Sequence, residues 1–357
     1  MIKILHSSDW HLDSPLQGRG SRQTRLLRRN LLEIPGKVAQ LCRQEHCDLM
    51  VLPGDLFDGG YTQESYQAVY DALQEAAVPV FIAPGNHDPL TSDSPWLREL
   101  WPDNVHIFKH AAIESVALKD LDCRVYGAGF ESMDCPGLLA GFRAEQTEQY
   151  AVGVFHGDPT QINSPYCPIT SLQVAQSELT YLALGHVHKG DSFQESKTLC
   201  AWPGCPMGRG YDEQGQKGVL IVTLDETAEA RFVPLDMPRF YDLTAPAGED
   251  VSATLAKLLP PVGSEDFYRI TLTGPSKTPD LAMLKEQYAR FPNLELRDKT
   301  VPPLDVWGTA GEDTFEGIYF KMLQERMEGQ DEKTARQIML AARISRALLS
   351  GQEVDIE

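Results

Sequence analysis

Short apolar runs recur through the first part of the chain, each followed at once by a polar cluster: Ile2 to Leu5, Leu49 to Leu52, Val78 to Ala83, Ala151 to Phe155, and Tyr181 to Leu184. Their length and β-branched or aromatic content predict buried strands. Helical spacing appears between them, as where Tyr66, Val69, Tyr70 and Leu73 fall at i, i+3, i+4 and i+7. Such alternation predicts an α/β core whose functional residues gather where strands end and loops begin. Gly218 to Leu224 and Ala230 to Leu235, separated by a turn, read as an antiparallel hairpin. The expected core is therefore a pair of mixed sheets flanked by helices.

The pattern changes near Met237-Pro238. Beyond it, strands are expected at Phe240 to Leu243, Phe267 to Leu272 and Leu294 to Arg297, with helices at Val251 to Leu259 and Leu281 to Phe291. That unit is far too small to be an enzyme alone. After a loop with Pro302, Pro303, Gly308 and Gly311, two helices are expected at Thr314 to Met327 and Glu332 to Leu349. The division is then 1–237 for the main domain, 238–300 for a small α/β domain and 301–357 for a linker and helical pair. Phe315, Ile318, Tyr319, Met322 and Leu323 form one apolar stripe of that pair, and Ala335, Ile338, Met339 and Ala342 begin another. Two helices bury only part of such stripes against each other, so a partner protein is expected to cover the rest.

Composition narrows the class. A hydrophobic fraction of 42% and a charged fraction of 23% fit a globular protein in water. No apolar run approaches the roughly 20 residues needed to cross a bilayer, and the first strand begins at Ile2 without a signal-peptide pattern. A cytoplasmic location without membrane contact is the expectation. The cysteines Cys42, Cys47, Cys123, Cys135, Cys167, Cys200 and Cys205 show no paired CxxC spacing and read as reduced thiols. The net charge of −19 repels nucleic acid. One segment differs: Arg19, Arg22, Arg25, Arg28 and Arg29 precede any acidic residue until Glu33, as a solvated helix face or a phosphate-contacting stripe.

The chemistry lies in the clusters after the five strands: Asp9-Trp10-His11, Gly54-Asp55-Leu56-Phe57-Asp58, Gly85-Asn86-His87-Asp88, His156-Gly157 and Gly185-His186-Val187-His188. A lone DxH or HxH is an ordinary loop sequence, whereas this ordered set is specific. Oxygen and imidazole ligands without thiolate suit divalent manganese, iron, magnesium or zinc, and octahedral manganese best matches mixed Asp, Asn and His. Paired ions about 3.5–4 Å apart require a carboxylate able to bridge them. Asp55 is placed for that role. With Asp9 and Asp55 supplying two negative charges and Asn86 none, two such ions leave the site electropositive and attractive to phosphate.

These motifs resemble the calcineurin-like metallophosphoesterase superfamily. The resemblance implies a four-layer α/β/β/α core and a pair of divalent ions, one held by Asp9, His11, Asp55 and His188, the other by Asp55, Asn86, His156 and His186. It makes His87 the non-ligand histidine that contacts phosphate and assists the leaving oxygen, with Asp88 expected either to orient it or to form the turn before Pro89. Asp58 is grouped with these two as catalytic, although it stands where some relatives have a phosphate-contacting histidine. The stretch Ile4 to Leu12, with Gly54 to Asp58 and Trp202-Pro203-Gly204-Cys205-Pro206, Asp212-Glu213 and Lys217-Gly218, is similar to the SbcD-type nuclease branch. Asp13-Ser14-Pro15 departs from the glycine usual in SbcD and looks more like the YhaO-type DNA repair exonucleases.

That resemblance implies DNA as substrate, and the arginine run then offers Arg19, Arg22 and Arg25 as its contacts. In that branch the small domain acts as a cap, the C-terminal helical pair docks on the coiled-coil base of an SMC-like ATPase and a helix pair near Thr62 to Ala77 supports homodimers, and the same is expected here. The alternative for the C-terminal pair is packing on its own cap or on a dimer mate. Two alternatives remain: a phosphodiesterase or phosphatase for nucleotides or other small phosphoesters, and a non-catalytic metal-binding scaffold. A scaffold has no use for His87. Outside the motifs, His46, His106 and His110 read as surface or satisfied histidines. His6 is expected to serve packing or support, and the Trp96 to Trp101 region to serve packing.

Overall fold

The computed structural model describes residues 1–16 and 20–351. The chain divides into two compact units, Met1–Tyr241 and Asp242–Glu357. Arg19 lies outside the described residues.

The first unit runs β1 (Ile2–His6), α1 (Ser21–Gln44), β2 (Leu49–Leu52), α2 (Gln63–Ala76), β3 (Val80–Ile82), the short α3 (Pro95–Arg98), β4 (Val105–Ile107), β5 (Glu114–Leu118), β6 (Cys123–Ala128) and β7 (Tyr150–His156). It continues with α4 (Ser171–Ser177), β8 (Tyr181–Gly185), β9 (Lys189–Glu195), β10 (Thr198–Gly204), β11 (Gly218–Leu224) and β12 (Ala228–Pro234). Two mixed sheets result, one in the order β12-β11-β1-β2-β3-β4 and the other β5-β6-β7-β8-β10-β9. In the first, β1 to β4 are parallel, while β11 pairs antiparallel with both β1 and β12. In the second, β6, β7, β8 and β10 are parallel and the edges β5 and β9 run against them.

The sheets meet through one apolar layer. Ile2, Ile4, Leu49, Val51 and Phe81 of the first sheet share a buried cluster with Val125, Val152, Val154, Tyr181 and Ala183 of the second. Strand side chains alternate, so Leu5, Met50, Leu52, Val80 and Ile82 belong to the opposite face, where they are also buried. The second sheet likewise buries Phe155, Leu182, Leu184 and Trp202 with Leu139 and with Val174 of α4 on its other face. Covering both faces of both sheets gives the four-layer α/β/β/α core. Because the apolar runs are central parallel strands, their polar C-terminal neighbours all emerge at one edge of the sandwich.

The second unit carries all but the first two residues of β13 (Phe240–Pro246), then α5 (Val251–Leu258), β14 (Phe267–Pro275), α6 (Leu281–Gln287), β15 (Leu294–Val301), α7 (Phe315–Met327) and α8 (Glu332–Leu349). Its sheet order is β13-β14-β15, with β14 and β15 parallel. The helix expected to reach Phe291 ends at Gln287, where Tyr288 leaves helical geometry and Phe291 is buried from a turn. In the helical pair, Gly317 and Phe320 of α7 are buried, as are Ala342, Arg346 and Ala347 of α8. The Arg346 guanidinium lies 4.0 Å from the Phe320 ring centre and donates to Thr309 Oγ1 at 2.6 Å. Phe315, Ile318 and Met322 of the expected stripe remain exposed, while Tyr319 and Leu323 are half-buried. Apolar spacing marks a stripe, but not which edge of it meets the second helix.

Candidate active site

The site forms where β1, β2, β3, β7 and β8 end. Backbone bonds lace the first two loops together: Asp9 N–H donates to Gly54 O at 3.1 Å, His11 N–H to Asp55 O at 3.0 Å and Leu12 N–H to Leu56 O at 2.9 Å. Asp9, His11, Asp55 and His186 all have positive φ, at 56°, 48°, 54° and 95°. Such conformations cost free energy for non-glycine residues, and persist where the surroundings over-determine them. A Cβ on Gly85 would lie 2.3 Å from Asp55 Oδ1, and one on Gly54 2.6 Å from His156 Nδ1. Glycine is what lets these loops close on the cluster.

Asp88 does something other than orient His87. Its carboxylate accepts backbone N–H groups from Gly85 and Leu56 at 2.8 Å and from Asp55 and Phe57 at 3.2 Å. Burial and the Asp55 carboxylate push its pKa up to about 6 against those donors. The Asp88 carbonyl in turn accepts Trp96 Nε1–H at 2.9 Å, and buried Trp96 packs on Phe57. Asp88 is thus the knot tying the 54–58 loop to the 85–88 loop, and the Trp96 region packs to support it.

Two groups of ligand atoms converge. His11 Nε2 and His188 Nε2 face each other at 3.0 Å, with Asp9 Oδ1 3.9 Å from the latter. Beside them, Asn86 Oδ1 lies 2.8 Å from His156 Nε2 and 3.2 Å from His186 Nδ1. Asp55 Oδ2 stands between, 3.8 Å from His11 Nε2 and 3.3 Å from His156 Nε2. Asp9, His11 and His188 can hold one cation, as can Asp9, Asp55 and His156. All seven residues named from sequence as ligands meet here.

The outer nitrogens of His156 and His188 face acceptors that direct those two rings inward. His156 Nδ1 lies 3.0 Å from Pro53 O and His188 Nδ1 2.6 Å from Glu213 Oε1. Asp9 accepts Ser8 Oγ–H at 2.6 Å and His186 N–H at 3.0 Å. A histidine whose outer nitrogen donates offers its inner lone pair to a metal. Among the side chains alone, burial lowers the His156 pKa but Asp55 and Asp9 overcome it, raising it to about 9. His186 falls to about 4 through burial and the neighbouring His156. The carboxylates create a demand for positive charge that bound divalent cations would meet.

His87 stands outside both groups, in a third set with His11 and Asp58 that could hold a cation, and its side chain is 42% exposed, open to a substrate. Its Nδ1 is 2.8 Å from Asp58 Oδ1, and Asp58 Oδ2 lies 3.5 Å from His11 Nδ1. The orienting carboxylate is therefore Asp58, because Asp88 is consumed by backbone donors. Sequence reasoning passed over Arg209 and assigned Glu213 no role. Both sit in the loop between β10 and β11, which follows no motif-bearing strand end, so the signal that found the other clusters was missing. Arg22 and Arg25 are exposed on α1, and their side chains have no hydrogen bond or ion pair among the described residues. His6 is fully buried between Tyr181 Oη at 2.7 Å and Leu184 O at 3.0 Å, in a supporting place.

Residues 2–190 match the Calcineurin-like phosphoesterase family, and the chain belongs to it. The family binds two divalent metal ions, and the groups around Asp55 are the candidates to hold them. An uncharacterized metallophosphoesterase of Bacillus subtilis, YhaO, is 29% identical over 62% of this chain and 57% of its own length. The chain thus spans little more than half of that relative. The D subunit of nuclease SbcCD from Bacillus subtilis is 24% identical over 64% of this chain and 68% of its own. The protein of that name from Staphylococcus epidermidis is 23% identical over 82% and 84%. No helix among the described residues is long and apolar enough to cross a membrane.

Proposed function

We propose that the chain is a two-metal phosphodiesterase that cleaves DNA as the nuclease component of a larger assembly, with manganese as its ion. The observation that carries this reading is Asp55 Oδ2 standing between the two ligand groups, with His87 held by Asp58 outside both. When bound, paired divalent ions neutralise phosphoryl oxygens and supply an activated water. The chain's own part follows from placement. Asp9, His11 and His188 would hold one ion, Asn86, His156 and His186 the other, and Asp55 is placed to serve both. His87, with Nδ1 engaged by Asp58, turns Nε2 toward substrate and donates a proton to the departing oxygen.

DNA as substrate is supported by two relatives whose names make them nuclease subunits and by the exposed Arg22 and Arg25 on α1. A partner, proposed to be a coiled-coil ATPase, is supported by the exposure of Phe315, Ile318 and Met322. We further propose a homodimer through α2 and a role in DNA repair. The net charge of −19 favours a second reading, in which the substrate is a nucleotide or another small phosphoester. End-labelled single- and double-stranded DNA, offered with manganese beside nucleotide and nitrophenyl diesters, separates the two. Shortening of labelled DNA, lost in Asp55→Asn, supports the nuclease. Turnover of small esters with intact DNA establishes the second reading.

A further inference from the structure

We propose that Arg209 is a positioning residue that locks His87 and His188 into one arrangement, an inference that rests on the phosphoesterase reading above. Its guanidinium donates from Nη1 to Asp58 Oδ2 at 3.2 Å and from Nη2 to Glu213 Oε1 at 3.0 Å. Each carboxylate is also the partner of a site histidine. Asp58 Oδ1 lies 2.8 Å from His87 Nδ1, and Glu213 Oε1 lies 2.6 Å from His188 Nδ1. Arg209 Nη2 also lies 3.3 Å from His188 Nδ1 itself, so a single planar cation sits between the proposed leaving-group histidine and a proposed metal ligand.

The surroundings make that placement specific. The Asp58 and Glu213 side chains are 13% and 10% exposed, and Arg209 itself only 18%, so the pairs are poorly screened by water. The Arg209 backbone N–H also donates to Glu213 Oε2 at 2.7 Å, fixing both oxygens of that carboxylate. A Cβ on the preceding Gly208 would lie 2.3 Å from Glu213 O, so the loop closes this tightly only with glycine there. Arginine reaches two carboxylates in different directions because its donors form a rigid fork. Lysine brings the charge without that geometry. Removing the fork frees Asp58 on one side and Glu213 on the other, so one substitution should disturb both metal binding and leaving-group assistance.

The experiment compares Arg209→Gln, Arg209→Lys, Glu213→Gln and Asp58→Asn in the full chain. Manganese affinity is read by calorimetry, and turnover at saturating manganese is read on a nitrophenyl diester and on an alkyl diester with a poor leaving group. In Arg209→Gln, one of the two manganese ions should bind about 10–100-fold more weakly, the usual size of losing a ligand's outer partner. Its turnover should fall at least about tenfold further on the alkyl than on the nitrophenyl diester. Glu213→Gln should reproduce the affinity loss alone, Asp58→Asn should show the leaving-group effect together with an affinity loss of its own because Asp58 also faces His11, and Arg209→Lys should recover at most one of the two. Unchanged affinity for both ions, equal losses on the two esters, or full recovery by lysine overturns the proposal. If Arg209→Gln does not fold, the split between Glu213→Gln and Asp58→Asn decides, and identical effects in those two variants refute it. Failure of the unmodified chain to cleave either ester refutes the phosphoesterase reading instead, while calorimetry still tests the metal arm.

Discussion

Asp58 Oδ1 lies 2.8 Å from His87 Nδ1, and this contact places a carboxylate behind the one motif histidine that lies outside both ligand groups. The exposed edge of the His87 ring is thereby assigned to Nε2. Replacing His87 with Ala should leave manganese binding intact and lower turnover at least about 10²-fold, the usual size of a general-acid contribution. A nitrophenyl diester, whose leaving group needs no proton, should lose much less than an alkyl diester. Equal losses on the two substrates would remove His87 from leaving-group assistance.

Asp88 is expected to behave differently from Asp58, since its carboxylate serves four backbone donors of the two metal loops. Asp88→Ala leaves those buried N–H groups without an acceptor, which should cost more than about 3 kcal/mol. Urea unfolding should show a lowered midpoint, with manganese affinity falling in parallel. An unchanged midpoint would show that the loops hold their form without it.

Much of this arrangement was legible in the sequence because its ligands follow buried strands whose apolar runs are unmistakable. The run at Leu49 to Leu52 and the cluster at Gly54 to Asp58, for example, mark both a central strand and its loop without any tertiary information. Residues outside that rule were harder to read. Glu213 reaches His188 from a loop 25 positions further along, a distance only tertiary folding closes. Asp58 and Asp88 are both acidic residues near His87, and only the geometry shows which one is free to meet the ring. Helix α1 runs through Pro35-Gly36, a pair that ordinarily marks a break, because Leu27, Leu31, Ile34 and Val38 bury a continuous face. The edge strand β9 is largely exposed and polar, so it lacked the apolar signature of its neighbours.

His6 gives the fold a pH dependence of defined sign. Burial lowers its pKa to about 3, while the Leu184 carbonyl partly offsets that effect. In the unfolded chain an ordinary histidine titrates near 6.5, so between these values the unfolded state binds the extra proton. Stability from this group is full above about 6.5 and declines as pH falls toward 3, by about 1.4 kcal/mol per pH unit at most. Urea unfolding between pH 6 and 4.5 should show a steeper slope for the natural chain than for His6→Gln. Equal slopes would mean that His6 takes up a proton in the folded state.

Arg22 and Arg25 are expected to act on polymeric substrate only. Replacing both with Ala should weaken DNA binding, and the dependence of log K on log salt should flatten by roughly 0.9 for each phosphate that is no longer neutralised. Cleavage of a nitrophenyl diester should be unchanged. A matching loss on the small ester would assign these arginines to the fold of α1.

The bridging place of Asp55 is tested most directly by counting manganese ions bound to purified chain before and after Asp55→Asn. Two ions per chain are expected in the natural protein and fewer than two in the variant, because the altered oxygen lies between both ligand groups. Two fully occupied ions in Asp55→Asn, or a single ion in the natural chain, would contradict a paired centre built on Asp55.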